Sequence, residues 1–131
     1  MAAADLEVAT YLQAQSYGTL GADLFAGELP AGKSTGTVVT GYPGLPDEHV
    51  CGTLGATLEI GRLQVRVQHT NEDTAYTNAR DAATILGKVA STTLSGVRYR
   101  SITVLQSPGL LYRDGNQRPN VGFNVEFERE L

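Results

Sequence analysis

Cysteine is almost missing from this chain: Cys51 is the one thiol in 131 residues, so no disulfide can form within it. Basic charge is also short, because 10 Lys and Arg against 14 Asp and Glu leave a net charge of −4. That balance excludes a protein that grips nucleic acid through a basic surface, but not one that nucleic acid passes without sticking. No apolar run approaches membrane-spanning length. The start, MAAADLEVA, lacks the basic residues and apolar core of an export signal, which predicts synthesis in the cytoplasm. Also missing are a Ser-His-Asp arrangement and any carboxylate pair in an apolar setting, the usual starting points for hydrolytic or acid–base chemistry. What remains is ordinary for a globular protein: 41% hydrophobic residues, 18% charged residues and 15 glycines that imply many turns. The length predicts a single domain over residues 1–131.

The strongest pattern lies in the last third of the chain. In NVGFNVEFE, Val121, Phe123, Val125 and Phe127 fall on one face while Asn124, Glu126 and Glu128 fall on the other, the period-2 signature of a half-buried strand. VRYRSITVLQ alternates less cleanly, which a bulge near Ser101 would explain. The segment between them, SPGLLYRDGNQRP, is too long for a tight turn and reads as a loop that serves as a contact surface. Folding that loop symmetrically places Arg98 opposite Glu128, Arg100 opposite Glu126, Tyr99 opposite Phe127, Thr103 opposite Phe123 and Leu105 opposite Val121.

From the start, Asp5 is a candidate N-cap for a short helix that buries Leu6, Ala9, Tyr11 and Leu12 and ends near residues 16–18. LGADLFAG predicts a short edge strand, and Val38, Val39 and Tyr42 predict another. Residues 43–59 form a long Gly-rich connection. Leu63, Val65 and Val67 then alternate with Arg62, Gln64, Arg66 and Gln68 in the cleanest strand before the C-terminal third, with His69 a structural histidine at its end. Thr70 and Asp73 resemble a capping box, opening a helix whose stripe runs through Ala75, Tyr76, Ala79, Ala82, Ala83, Leu86 and Val89.

Two motifs carry chemistry on paper. Gly27, Gly32, Lys33 and Ser34 match the spacing of a phosphate-binding loop, in which backbone amides cradle phosphates and the lysine neutralises them. That site needs a helix starting at the lysine. The following TGTVVTGYPG cannot make one, so the reading is a polar turn between strands. Asp47, Glu48, His49 and Cys51 gather four possible metal ligands, but no C-x-x-C accompanies them, and a solvated loop is the expectation. No catalytic, cofactor or metal site is assigned.

Taken together, GADLFAGELP, LQVRVQ, AYTNARDAATIL, YRSITVLQSPGLLYRDGNQRP and FNVEFERE occur in an order that resembles the tail-terminator proteins of long-tailed bacteriophages, also called minor capsid proteins. The match is poor only over residues 44–62. The resemblance implies an α+β fold: a mixed, largely antiparallel sheet with two helices packed on one face. It implies a structural virion protein rather than an enzyme, without cofactor, working as a homo-oligomer. The expected assembly is a hexameric ring at the head-proximal end of the tail tube. Such a ring ends polymerisation and meets the major tail tube protein on one side and the head connector or stopper on the other. DNA would pass through its channel, with no membrane involved, and assembly would take place in the host cytoplasm. The candidate subunit or partner interface comprises Arg62, Arg66, Ser107, Pro108, Arg113, Asp114, Asn116, Arg118, Glu126 and Glu128. Another neck or tail-completion component, and a small nucleotide-binding protein using Lys33, are the alternatives.

Overall fold

The computed structural model describes residues 3–42 and 58–130. The elements in chain order are α1 (Ala4–Ala14), β1 (Leu24–Ala26), β2 (Gly36–Tyr42), β3 (Leu58–Gln68), α2 (Glu72–Leu86), β4 (Ala90–Leu94), β5 (Val97–Val104), β6 (Gly109–Arg113) and β7 (Pro119–Glu130). The seven strands form one sheet in the order β1-β2-β3-β7-β5-β4, with β6 beside β7. Among the described strands β1 and β2 pair in parallel and the other strand pairings are antiparallel. This is the mixed, largely antiparallel α+β fold. The sheet curls enough for α1 to touch β1, β2 and β4, while α2 lies on β7, β3 and β5.

β7 is the axis of the sheet. One edge pairs with β3 along its length, from Asn120 opposite Gln68 to Glu130 opposite Leu58. The other edge is shared: β6 takes the first part, and β5 takes the rest, with Val104 opposite Val125 and Ser101 opposite Glu128. The period-2 pattern holds, with Val121, Phe123, Val125 and Phe127 buried towards the helices. Val39, Leu63 and Val65 join Phe123, Val125 and Phe127, and α1 and α2 contribute Val8, Ala9, Leu12, Ala82 and Leu86 to the same core, while Val121 packs with Val67, Ala75 and Ala79 in a smaller one. Small residues make this possible: a methyl group on Gly61 would overlap the Phe127 ring, and one on Gly122 would sit 2.5 Å from the Val65 carbonyl oxygen.

The strand register differs from the symmetric folding of the loop. Ile102, not Tyr99, lies opposite Phe127, and Thr103 lies opposite Glu126 rather than Phe123. Arg98 pairs with Glu130 at 3.3 Å instead of Glu128, and Glu126 pairs with Arg62 instead of Arg100. Leu105 lies beside Asn124, to whose carbonyl its amide donates, and Val121 faces Leu110. The cause is β6. The expected loop contains a strand that occupies the start of β7, which pushes β5 towards the end of β7. A register shift between Tyr99 and Ser101 marks the expected bulge.

Local signals account for the other differences. Asn71, not Thr70, caps α2, its side chain accepting from the Thr74 amide at 3.1 Å. Val89 lies beyond the end of that helix, though it is buried. α1 follows Ala3 without a side-chain cap, so Asp5 falls in its first turn. Leu6 points outward because the buried stripe is Ala4, Val8 and Leu12, and two residues from Val8 is roughly 200° around a helix. The helix ends at Ala14, before the expected residues 16–18, with Ser16 in the left-handed region (φ 63°) and the Tyr17 amide returning to the Leu12 carbonyl. Ala90–Leu94 form β4, and Ser95 and Gly96 at φ 50° and 80° form the tight hairpin into β5. The expected edge strand is confined to β1, at the edge of the sheet.

These contacts fix the cost of disturbing the axis. Phe127→Ala is expected to lower unfolding free energy by about 3–5 kcal/mol through the cavity it leaves. Gly61→Ala should cost roughly 1–3 kcal/mol through overpacking against the same ring. Urea unfolding of both variants checks this, and an unchanged midpoint in either contradicts the packing described.

Candidate functional site

The sheet face turned away from the helices is polar over the middle of β3 and β7. Arg62 Nε lies 3.3 Å from Glu126 Oε1, with both side chains partly exposed. Glu128, on the same face, stands between Ile60 and Ser101. Arg66 donates to Asn120 Oδ1 at 2.5 Å, and its guanidinium lies 5.9 Å from the Tyr112 ring centroid. Four of the ten sequence-predicted interface residues therefore share one face, and Arg66 links it to β6.

The other six lie along the β5–β6–β7 path. Ser107 is exposed and Pro108 half-buried where β5 gives way to β6. Arg113, Asp114, Asn116 and Arg118 form the β6–β7 hairpin, which is internally braced. Asp114 Oδ1 accepts from the amides of Asn116 and Arg118 at 2.9 and 2.8 Å, and its Oδ2 meets Arg118 Nε at 2.7 Å. The Arg118 amide, ahead of the Arg118 side chain and the Asn116 amide, holds the Asp114 carboxyl below its usual range. Arg113 reaches the Gln117 carbonyl at 3.2 Å and Glu72 at 3.0 Å, tying the hairpin to the start of α2. Apolar side chains are nonetheless left exposed on this arm: Leu110, Leu111 and Tyr112 retain 44%, 40% and 49% of their surface.

A second cluster escaped the sequence reading. Arg129 continues the inward parity of Phe127 and is buried, with Nη1 2.7 Å from Glu7 Oε1 and Nε bonded to Glu59. Tyr99 donates to the same Glu7 oxygen at 2.7 Å. Burial opposes the charge on Arg129, but the hydrogen bonds it donates to Glu59 and Glu7 outweigh that and raise its pKa. Burial, then the bond to Glu7, also raises that of Tyr99. The cluster fastens the first helix to the last strand. Its sequence signal was Arg129 itself, a charge at an inward position of a strand whose neighbours on that face are apolar.

The phosphate-loop motif has no phosphate-binding geometry. Gly36 begins strand β2 two residues after Ser34, where a helix would be required, and Lys33 Nζ instead donates to the Ala22 carbonyl at 3.2 Å. His69 Nδ1 accepts from the Asn71 amide at 3.0 Å, a structural role. Asp47, Glu48, His49 and Cys51 lie outside the described residues. Among the described residues no group of three His, Cys, Asp or Glu side chains is placed to hold a metal, and no helix is long and apolar enough to cross a membrane.

The buried cluster yields a direct test. Arg129→Met should cost about 3–5 kcal/mol because it leaves buried Glu7 without its cation. Adding Glu7→Gln should recover part of that loss in urea unfolding; a double variant no more stable than Arg129→Met would contradict the assigned pairing.

No curated protein matches the chain. A family model described as "Bacteriophage tail terminator protein" matches residues 11–131. That span includes all seven described strands, α2, the braced hairpin and the last turn of α1. The chain belongs to the bacteriophage tail terminator family.

Proposed function

We propose that this protein forms a closed ring of six copies on the head-proximal end of a long phage tail. The ring ends polymerisation of the tube and presents a surface to the head connector or stopper. The observation that carries this reading, beside family membership, is the arm at Leu110–Tyr112. Large apolar side chains are held in the open by a braced hairpin, as a contact surface requires and a solitary globular domain does not. A closed symmetric set also fits the task, since a contact that did not close would continue as a filament instead of stopping one.

The major tail tube protein is the partner on one side of the ring and the connector or stopper on the other. Genome DNA crosses the channel without specific binding, in keeping with a net charge of −4 and with the pairing of Arg62 with Glu126 and of Arg98 with Glu130. The working location is the virion, after assembly in the host cytoplasm. The protein performs no catalysis in this role.

Purified protein added to polymerising tail-tube subunits should halt elongation, seen by electron microscopy as shorter tubes bearing a cap at one end. Tubes that grow to the same lengths with and without it would rule out the terminating role. Normal tubes that fail only to join heads would instead favour a neck or completion component.

A further inference from the structure

Two unlike surfaces lie at diagonally opposite corners of the sheet. One is the β6 arm, beside residues 119–122 at the start of β7 and on its β5 side. The other is a groove beside Phe127 and Arg129 at the end of β7, on the β3 side, between the start of α1 and the ends of β2 and β3. The groove has a volume of about 510 Å³, and Tyr42, Ile60, Leu63 and Phe127 contribute apolar wall. Gly41 presents no side chain to it, and the space over Gly61 is taken by the Phe127 ring. The groove is more than three times the size of a cavity of about 150 Å³ that accepts benzene.

Charge distinguishes the two corners. Around the arm, Arg113 and Arg118 are matched by Glu72 and Asp114, while Arg66 has, among the described residues, the Asn120 amide and the Tyr112 ring. Positive charge is therefore in excess there. Around the groove, Arg62 is matched by Glu126, Arg129 faces both Glu7 and Glu59, and Asp5 adds a further carboxylate. Negative charge is in excess there. An apolar knob with a positive margin and an apolar groove with a negative margin complement each other in shape and sign.

We propose that the Leu110–Tyr112 arm of one copy seats in the groove between α1 and the β2–β3 ends of the next copy. This contact rests on the ring reading above and supplies its geometry. Because knob and groove are different surfaces at opposite corners, each copy uses one of each, and the contact is head-to-tail. A two-fold contact would instead pair one surface with itself.

Cross-linking assembled tails tests the contact. Tyr112→Cys on the arm and Tyr42→Cys at the groove change exposed side chains, and Cys51→Ser removes the native thiol. With a short bis-maleimide, chains carrying both cysteines should give a ladder of covalent multimers on a denaturing gel. Chains carrying either one alone should stay monomeric, and an equal mixture of the two single-cysteine chains should add covalent dimers joining unlike chains, with no pair of identical cysteines linked. Cross-linked dimers from one single-cysteine chain alone would overturn the head-to-tail contact. So would rings visible by electron microscopy without cross-links between Tyr112→Cys and Tyr42→Cys, as when the groove is filled by residues 43–57 of its own chain; the ring reading would survive that result. Tails that carry the protein but show no ring would sink both.

Discussion

Everything in this fold depends on β7 being paired along both edges. A strand in that position has its backbone groups satisfied within the sheet, so its side chains alone decide what lies above and below it. Inward, alternate residues fill the space beneath the helices. The glycines at 61 and 122 let neighbours close over the strand without strain. Near its end the apolar series gives way to Arg129, buried against carboxylates from α1 and β3. Burying such charges is not an economical source of stability, because desolvation consumes most of the attraction. Its effect is positional: Glu7 on the first helix is satisfied only when that helix sits over the last strand.

The same strand shapes the exterior. Because β5 pairs with the second part of β7, the chain must step across to reach its start, and that step becomes β6. The arm is therefore built into the sheet and held by Asp114 and by the Arg113–Glu72 bridge. A segment held in this way has little conformational entropy left to lose in any contact. The open sheet face beside it is polar and nearly balanced in charge, which suits a surface that partners approach without indiscriminate adhesion.

Much of this was readable from residue order. The alternation in Val121–Phe127 and Leu63–Val67 identified the two central strands, because burial on one face imposes a period of two. The alanine stripe from Ala75 identified α2 for the corresponding helical reason. β6 was not readable: GLLYR is bracketed by turn residues and keeps its apolar side chains exposed, so no burial pattern marks it. The register failed with it, since a symmetric loop was the wrong geometry once that loop held a strand. Leu6 misled because composition ignores rotation about the helix axis, while Val8 set the true face. The ten candidate interface residues fell into one sheet face and one arm, but the exposed Leu110, Leu111 and Tyr112 between them emerge only from the pairing of β6.

The most direct measurement is hydrogen–deuterium exchange by mass spectrometry on the isolated protein and on the same protein in assembled tails. Exchange in β3 and β7 is expected to be slow in both states. Protection gained on assembly should concentrate at residues 105–118 and at the groove residues 40–42 and 59–63. New protection confined to the outer surface of α2, with the arm exchanging as freely in tails as in solution, would contradict the arm-to-groove contact.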